Sequence, residues 1–223
     1  MRKKITAVVP IRVGSQRVID KNFRPFGDTT LLKLKLETLK QVDTIDDIVV
    51  NTNSDEAIEI SKEYGVSYFR REEYYASNEC TNTEHWENLA FTTDTDYIMH
   101  TPCTAPLVKV ETYYDFINRF NNCLDLGHDS YNSVSRVKEY LWLDNKPLNY
   151  DLDNVPNSQD LPEIYNLTFG ISIISKENML KYKNVVGKNP LFYVMDDLES
   201  VDIDTPLDFD FAEFLYKRLN NGH

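Results

Sequence analysis

Apolar positions in the first half of the chain come as short unbroken runs, each followed by a stretch of helix length. The runs at 5–10, 47–52, 66–69 and 96–101 have strand length and are rich in β-branched residues. Between them the spacing turns helical. Leu32, Leu36 and Leu39 fall on one face after Asp28, a residue type that caps helices. Ala57, Ile58 and Ser61 follow a second cap, Ser54, and Gly65 stands where that helix should stop. Further helices are expected through 85–90 and over 108–120. Strand–helix alternation of this kind predicts a mostly parallel sheet covered on both faces, a Rossmann-like three-layer α/β sandwich.

The rhythm changes after Asp129. Residues 130–137 alternate as a strand, 139–149 read as a hairpin turning at Asp144-Asn145, and the polar stretch 150–162 reads as loop. A strand over 167–174 is interrupted by Gly170. A last strand is expected at 201–204, before a helix over 206–219. That helix has Thr205 at its N-cap, Pro206 first, Asp208 third, and Lys217 and Arg218 in its last turn. The expectation is one domain over 1–223, with 138–165 as an appendage.

Charge and cysteine usage narrow the function. The formal net charge is −12 with no block of Lys and Arg, which argues against a partner bound along a phosphate backbone, so no nucleic acid is expected. No apolar run approaches the ~20 residues of a membrane span, so no membrane partner is expected. The basic start, Met1 to Lys4, runs into an apolar stretch too short for a signal-peptide core, and the expected location is cytoplasmic. Cys80, Cys103 and Cys123 fit neither a disulfide framework nor a CxxC site. The four histidines have no metal-ligand spacing.

Against this acidic background the stretch 10–22, Pro-Ile-Arg-Val-Gly-Ser-Gln-Arg-Val-Ile-Asp-Lys-Asn, stands out. It follows the first strand, at the carboxyl edge where open α/β sheets bind ligands. Gly14 and Ser15 can turn backbone N–H groups inward as an anion nest, and Arg12, Arg17 and Lys21 add positive charge. Such a loop suits a polyphosphate; the alternative is a solvated basic surface loop. It is neither a P-loop nor a GxGxxG fingerprint.

The stretch resembles the P-x-R-x-G-S-x-R-x-x-x-K-N signature of the CMP-sialic acid synthetase family, meeting every fixed position from Pro10 to Asn22. The segment Asp202-Ile203-Asp204-Thr205-Pro206-Leu207-Asp208-Phe209 is similar to that family's D-I-D-T-x-x-D-(F/L). The resemblance runs from Ile5 to about Leu215 and is loosest in the region expected to hold the acceptor. It implies attack of an acidic sugar's hydroxyl on the α-phosphate of CTP, with release of pyrophosphate. Arg12 and Lys21 would clamp the triphosphate, and Asn22 would hold the nucleotide near the reacting phosphate. Asp202 and Asp204 would bind Mg²⁺. Residues i and i+2 of a strand share a side, and two such carboxylates suit a hard cation. Asp204 also reads as a loop residue before a cap, and Asp208 reads better as the cap partner than as a ligand.

The remaining matches are looser. Arg71 and Ala76-Ser77-Asn78 correspond to a family segment that turns toward the base, where Asn82 or Thr83 would approach the cytosine or else cap a helix. His100 or Thr101 stands near the family's substrate-contacting glutamine, or packs. Gln159 lies where the family holds its acceptor and its partner subunit. No arginine stands between Lys138 and Lys176, and Lys146 is the one cation there. A homodimer through the hairpin with Tyr140, Leu141 and Trp142 is the implied assembly.

Overall fold

The computed structural model describes residues 3–14 and 17–220. In chain order the elements are β1 (Ile5–Ile11), β2 (Pro25–Phe26), β3 (Thr29–Thr30), α1 (Leu31–Lys40), β4 (Asp47–Thr52), α2 (Asp55–Tyr64) and β5 (Ser67–Arg70). There follow α3 (Glu73–Ala76), α4 (Asn82–Thr92), β6 (Tyr97–His100), α5 (Val110–Asp125), β7 (Ser130–Val137), β8 (Trp142–Leu143) and β9 (Lys146–Pro147). A 3₁₀ turn at Ser158–Asp160 leads to β10 (Ile164–Ser175), α6 (Lys176–Tyr182), β11 (Pro190–Val194) and α7 (Pro206–Asn220).

Seven strands form one sheet in the order β11-β7-β10-β6-β1-β4-β5. Only β10 runs against its neighbours; the other adjacent pairs are parallel. The apolar run of β1 explains its central place. Ala7, Val9 and Ile11 face a large core with α1, α5 and α7, while Val8 faces a smaller one with α4 and α6. A parallel strand buried on both sides has no polar alternation to show. The expected three-layer α/β sandwich is the observed one.

Several local expectations hold. Ser54 caps α2 through Ala57 N, and Gly65 ends it in the left-handed region at φ 64°. Thr205 and Asp208 cap α7 reciprocally: Asp208 Oδ2 accepts from Thr205 N at 2.7 Å and Thr205 Oγ1 accepts from Asp208 N at 3.3 Å. Others shift. The cap of α1 is Thr30, because β2 and β3 make a tight hairpin over Gly27-Asp28. Asp28 instead accepts from the Tyr216 hydroxyl at 3.0 Å. Gly27 is required there: its φ is 62°, and a Cβ would lie 2.6 Å from the Tyr216 ring. The hairpin thereby buries Phe26 edge-on against Phe209 and pins α7 to the domain.

Three differences are larger. Residues 201–204 form no strand; Ile203 N donates to Thr104 O at 2.8 Å, in a loop. Strand β10 begins at Ile164, inside the expected appendage, and its register shifts between Leu167 and Ser172, where Phe169 has φ 54°. The chain also adds α6 and β11, neither anticipated. Within 138–165 the hairpin forms as expected, β8 pairing with β9 across Asp144-Asn145.

A cleft at the carboxyl edge of the sheet

The segments that leave the carboxyl ends of β1, β5 and β6, with the approach to α7, enclose a cleft of about 330 Å³. Arg12, Lys21 and Asn22 enter it from the segment after β1, Arg71 from the end of β5, Asn82 from the first turn of α4, and Asp204 from the approach to α7. Six residues from four separate stretches of the chain are thus brought together. Gly14, at φ 89°, lines an adjoining recess of about 90 Å³ with Arg12, Lys21 and Asn22. Ser15 lies outside the described residues. A wider depression at the amino ends of β1 and β6, around Lys3 and Asp96, is on the edge where sheets of this class do not hold ligands.

Asp20 explains how Lys21 arrives. Its backbone takes φ 50°, and its carbonyl accepts from both Phe23 N and Arg24 N at 2.9 Å. This turn sends Lys21 inward, where Nζ donates to Ile203 O at 2.7 Å. The ammonium is partly stripped of water, and burial pushes its pKa below the usual lysine value despite the opposing pull of Asp202 and Asp204. Asp202 is shifted the other way. Burial raises its carboxyl pKa; the Thr104 hydroxyl opposes this, and the charge of Asp204 adds to it. Asp204 is more exposed and accepts from Arg17 Nη2 at 2.9 Å. Asp202 does not itself line the cleft, but it is close enough to interact through its charge with Lys21 and Asp204. Arg12 donates from Nη1 to Asn78 Oδ1 at 3.0 Å.

Arg71 is 4% exposed. Its Nη2 donates to Ile11 O at 2.6 Å, its Nη1 meets His85 Nδ1 at 3.3 Å, and its Nε finds no partner in the folded chain. Burial and the neighbouring Arg12 lower its pKa to about 10, so it stays charged at neutral pH. His85 is held neutral, its pKa lowered to about 4 by burial and by the charges of Arg71 and Arg12.

Three expected contacts are not brought to the cleft. His100 ends β6 with its ring edge on Trp86, centroids 4.8 Å apart, and burial lowers its pKa to about 3. Thr101 is fully buried on the other side of the sheet, its hydroxyl 2.6 Å from that of Tyr113. Both belong to a core, because Thr101 N still donates to Val8 O and carries strand geometry one residue past β6. Gln159 sits exposed in the 3₁₀ turn and does not line the cleft.

Ser77, in the segment expected to turn toward the base, lines the cleft, whereas sequence reading missed Tyr75, Cys80, Cys103, Thr104 and His85, all of which line it too. A signal existed for His85. Thr81 and Glu84 form a capping box that fixes the start of α4 at Asn82. Asn82 and His85 are then three residues apart and share a face.

A basic wall facing an aspartate at the carboxyl edge of a mostly parallel sheet defines the class of α/β proteins that bind ligands at that edge. The chain matches the cytidylyltransferase family over residues 6–220 and belongs to that family. Among its relatives, the N-acylneuraminate cytidylyltransferase of Escherichia coli is 25% identical, over 99% of this chain and 54% of the other. The CMP-N,N'-diacetyllegionaminic acid synthase of Campylobacter jejuni is 25% identical, over 97% of each chain. Among solved structures, a CMP:2-keto-3-deoxy-manno-octonic acid synthetase in complex with CTP superposes with a TM-score of 0.68 at 12% identity, covering 97% of this chain and 99% of that one. Cytidylyltransferases of this kind generally use a divalent metal. Among the described residues no group of three or more His, Cys, Asp or Glu side chains is gathered as a metal site; Asp202 and Asp204 are a pair of hard oxygen donors, the charge of Asp204 raising the carboxyl pKa of Asp202. No helix among the described residues is long and apolar enough to cross a membrane.

Proposed function

We propose that the chain transfers CMP from CTP to a sialic-acid-like 2-keto sugar acid in the cytoplasm, releasing pyrophosphate. The observation that carries this reading is the convergence of Arg12, Lys21, Arg71 and Asp204 on one cleft in a cytidylyltransferase. The acceptor's anomeric hydroxyl attacks the α-phosphorus; a new P–O bond forms as the bond to pyrophosphate breaks, and the hydroxyl proton leaves to solvent. Arg12 and Lys21 hold the triphosphate and spread the leaving-group charge, which is most of what such a reaction asks of a protein. Gly14 and Asn22 shape the loop around the phosphates. Arg71 and Asn82 flank the base.

Mg²⁺ held by Asp202 and Asp204 would supply charge neutralisation at the phosphate.

The test is pyrophosphate release from CTP across a panel of sugar acids, with 3-deoxy-octulosonate and a phosphonate as further arms. Beside it, thermal shift with CTP or ATP plus Mg²⁺ should favour CTP. A ligand at 100 times its Kd adds about 2.7 kcal/mol of stability. Equal shifts by ATP, or no turnover with any acid, would overturn the reading.

The assembly we infer is a homodimer of single-domain protomers, with 138–165 at the interface. Trp142, Leu143, Leu148, Leu152 and Val155 are each more than half exposed in that segment, an apolar patch of the kind that marks interfaces. Sedimentation at micromolar concentration should give a dimer, and Trp142→Glu a monomer. A monomeric wild-type protein would sink this assignment.

A further inference from the structure

The cleft contains a neutral histidine that the phosphate chemistry above does not use. His85 lies in the first turns of α4, with Nδ1 3.3 Å from Arg71 Nη1. A guanidinium has donors only, so Nδ1 must accept, and a neutral imidazole whose Nδ1 accepts carries its proton on Nε2. The ring is fixed from its other side as well, tilted against Trp86 with centroids 5.1 Å apart. Arg71 is itself clamped by Ile11 O and cannot turn away. Its Nε–H has no partner in the folded chain. Arg71 Nε–H is shut away from the surface, so the donor that this pair of side chains leaves to the cleft is His85 Nε2–H.

We propose that His85 is a specificity-determining residue of the nucleotide site, its Nε2–H donating to an acceptor on the pyrimidine edge and favouring cytosine over uracil. The chemistry separates the two bases at one atom. Cytosine presents two neighbouring acceptors, O2 and N3; uracil keeps O2 but carries N–H at position 3. One fixed donor at position 3 pairs with N3 of cytosine and meets the N–H of uracil, and a buried polar site left mismatched rejects its ligand strongly. Arg71 acts on this step as a positioning residue: it sets the tautomer. The inference rests on the nucleotide reading above and adds the residue that tells one pyrimidine from the other.

The experiment uses the full chain. Long-range ¹H–¹⁵N NMR of the imidazoles at neutral pH should show His85 as the Nε2–H tautomer, its signal moving on addition of CTP. Titration calorimetry with CTP and UTP should show a preference for CTP that His85→Phe, which keeps the ring contact with Trp86, reduces at least tenfold. His85→Gln should restore part of it, since an amide can accept from Arg71 and donate onward. An Nδ1–H tautomer, a signal unmoved at saturating CTP, or an unchanged preference in His85→Phe would overturn the proposal. Should His85→Phe fail to fold, the wild-type tautomer and its response to CTP decide. A wild-type protein that binds CTP and UTP alike overturns this inference alone. One that binds neither overturns the nucleotide reading itself.

Discussion

Lys21→Met should lower turnover about 10²–10³-fold, the usual loss when one preorganised charge is removed from a developing anion, while the protein still folds. The ammonium is positioned by the turn at Asp20 and tied to Ile203 O at 2.7 Å. Its pKa is already depressed by burial, so it sits in surroundings poor in water, where a charge acts on a phosphate more strongly than in bulk solvent. Methionine has similar length and no charge. It loses the bond to Ile203 O, about 1.5–3 kcal/mol for a charged donor, but also removes the cost of desolvating an ammonium. Stability should change little while the charge effect is lost. Lys21→Arg should not restore full activity, because a planar fork cannot reproduce a compact ammonium at the same point. The measurement is kcat for pyrophosphate release at saturating CTP, with melting recorded alongside. A Lys21→Met enzyme within threefold of wild type would remove Lys21 from the charge machinery.

The sequence showed the layers of the fold most clearly where burial was symmetrical. Val8 and Val9 are both fully buried, on opposite sides of β1, and such a strand reads as one apolar run. What escaped notice was edge and short structure. In β11, Leu191 and Tyr193 pack inward while Phe192 and Val194 are more exposed, so apolar residues occupy both faces of an edge strand and leave no period to read. Helix α6 has seven residues and buries only Met179, too little for a helical stripe. Asp202 to Asp204 failed as a strand for another reason: the backbone of Ile203 is satisfied by the loop residue Thr104, a long-range pairing that no local pattern records.

Site residues followed the same division. Arg12, Lys21 and Asn22 share one contiguous motif, and their convergence on a cleft follows from its place after β1. His100 and Thr101 were misread because the chain keeps strand geometry past the end of β6, which sends the two side chains to opposite cores. Thr101 meets Lys35, a buried lysine that also donates to Ala105 O at 2.9 Å and Tyr113 Oη at 2.7 Å. Lys35 falls on the same helical face as Leu32, Leu36 and Leu39. A lysine inside an apolar stripe is a visible sign of buried polar work, here the bracing of the loop that carries Cys103 and Thr104.

Asp202→Asn and Asp204→Asn should each lower turnover at least tenfold, about 1.4 kcal/mol of transition-state stabilisation, and they should differ in stability. Asp204 is exposed, and its pair with Arg17 at 2.9 Å is a surface ion pair of the sort worth under about 1 kcal/mol. Its loss should barely move the melting temperature. Asp202 is half-buried, and its folded pKa stands above the ordinary carboxyl value. The folded chain then holds that proton to higher pH than the unfolded chain does. Stability from this group is therefore lost as pH rises through the window between the two values, and at neutral pH the ionised carboxylate is a net cost. Asp202→Asn removes the charge and keeps an oxygen for the Thr104 hydroxyl, so the variant should melt at or above wild type while turnover falls. Asp208→Asn should do neither strongly, because its carboxylate serves the cap of α7 through Thr205 N. The decisive measurement is turnover at saturating CTP across a Mg²⁺ titration for all four proteins, with melting followed over the same titration. If Asp202→Asn and Asp204→Asn keep the metal dependence and activity of wild type, the two aspartates do not form a metal site, and the acidic side of the cleft has to be assigned another role.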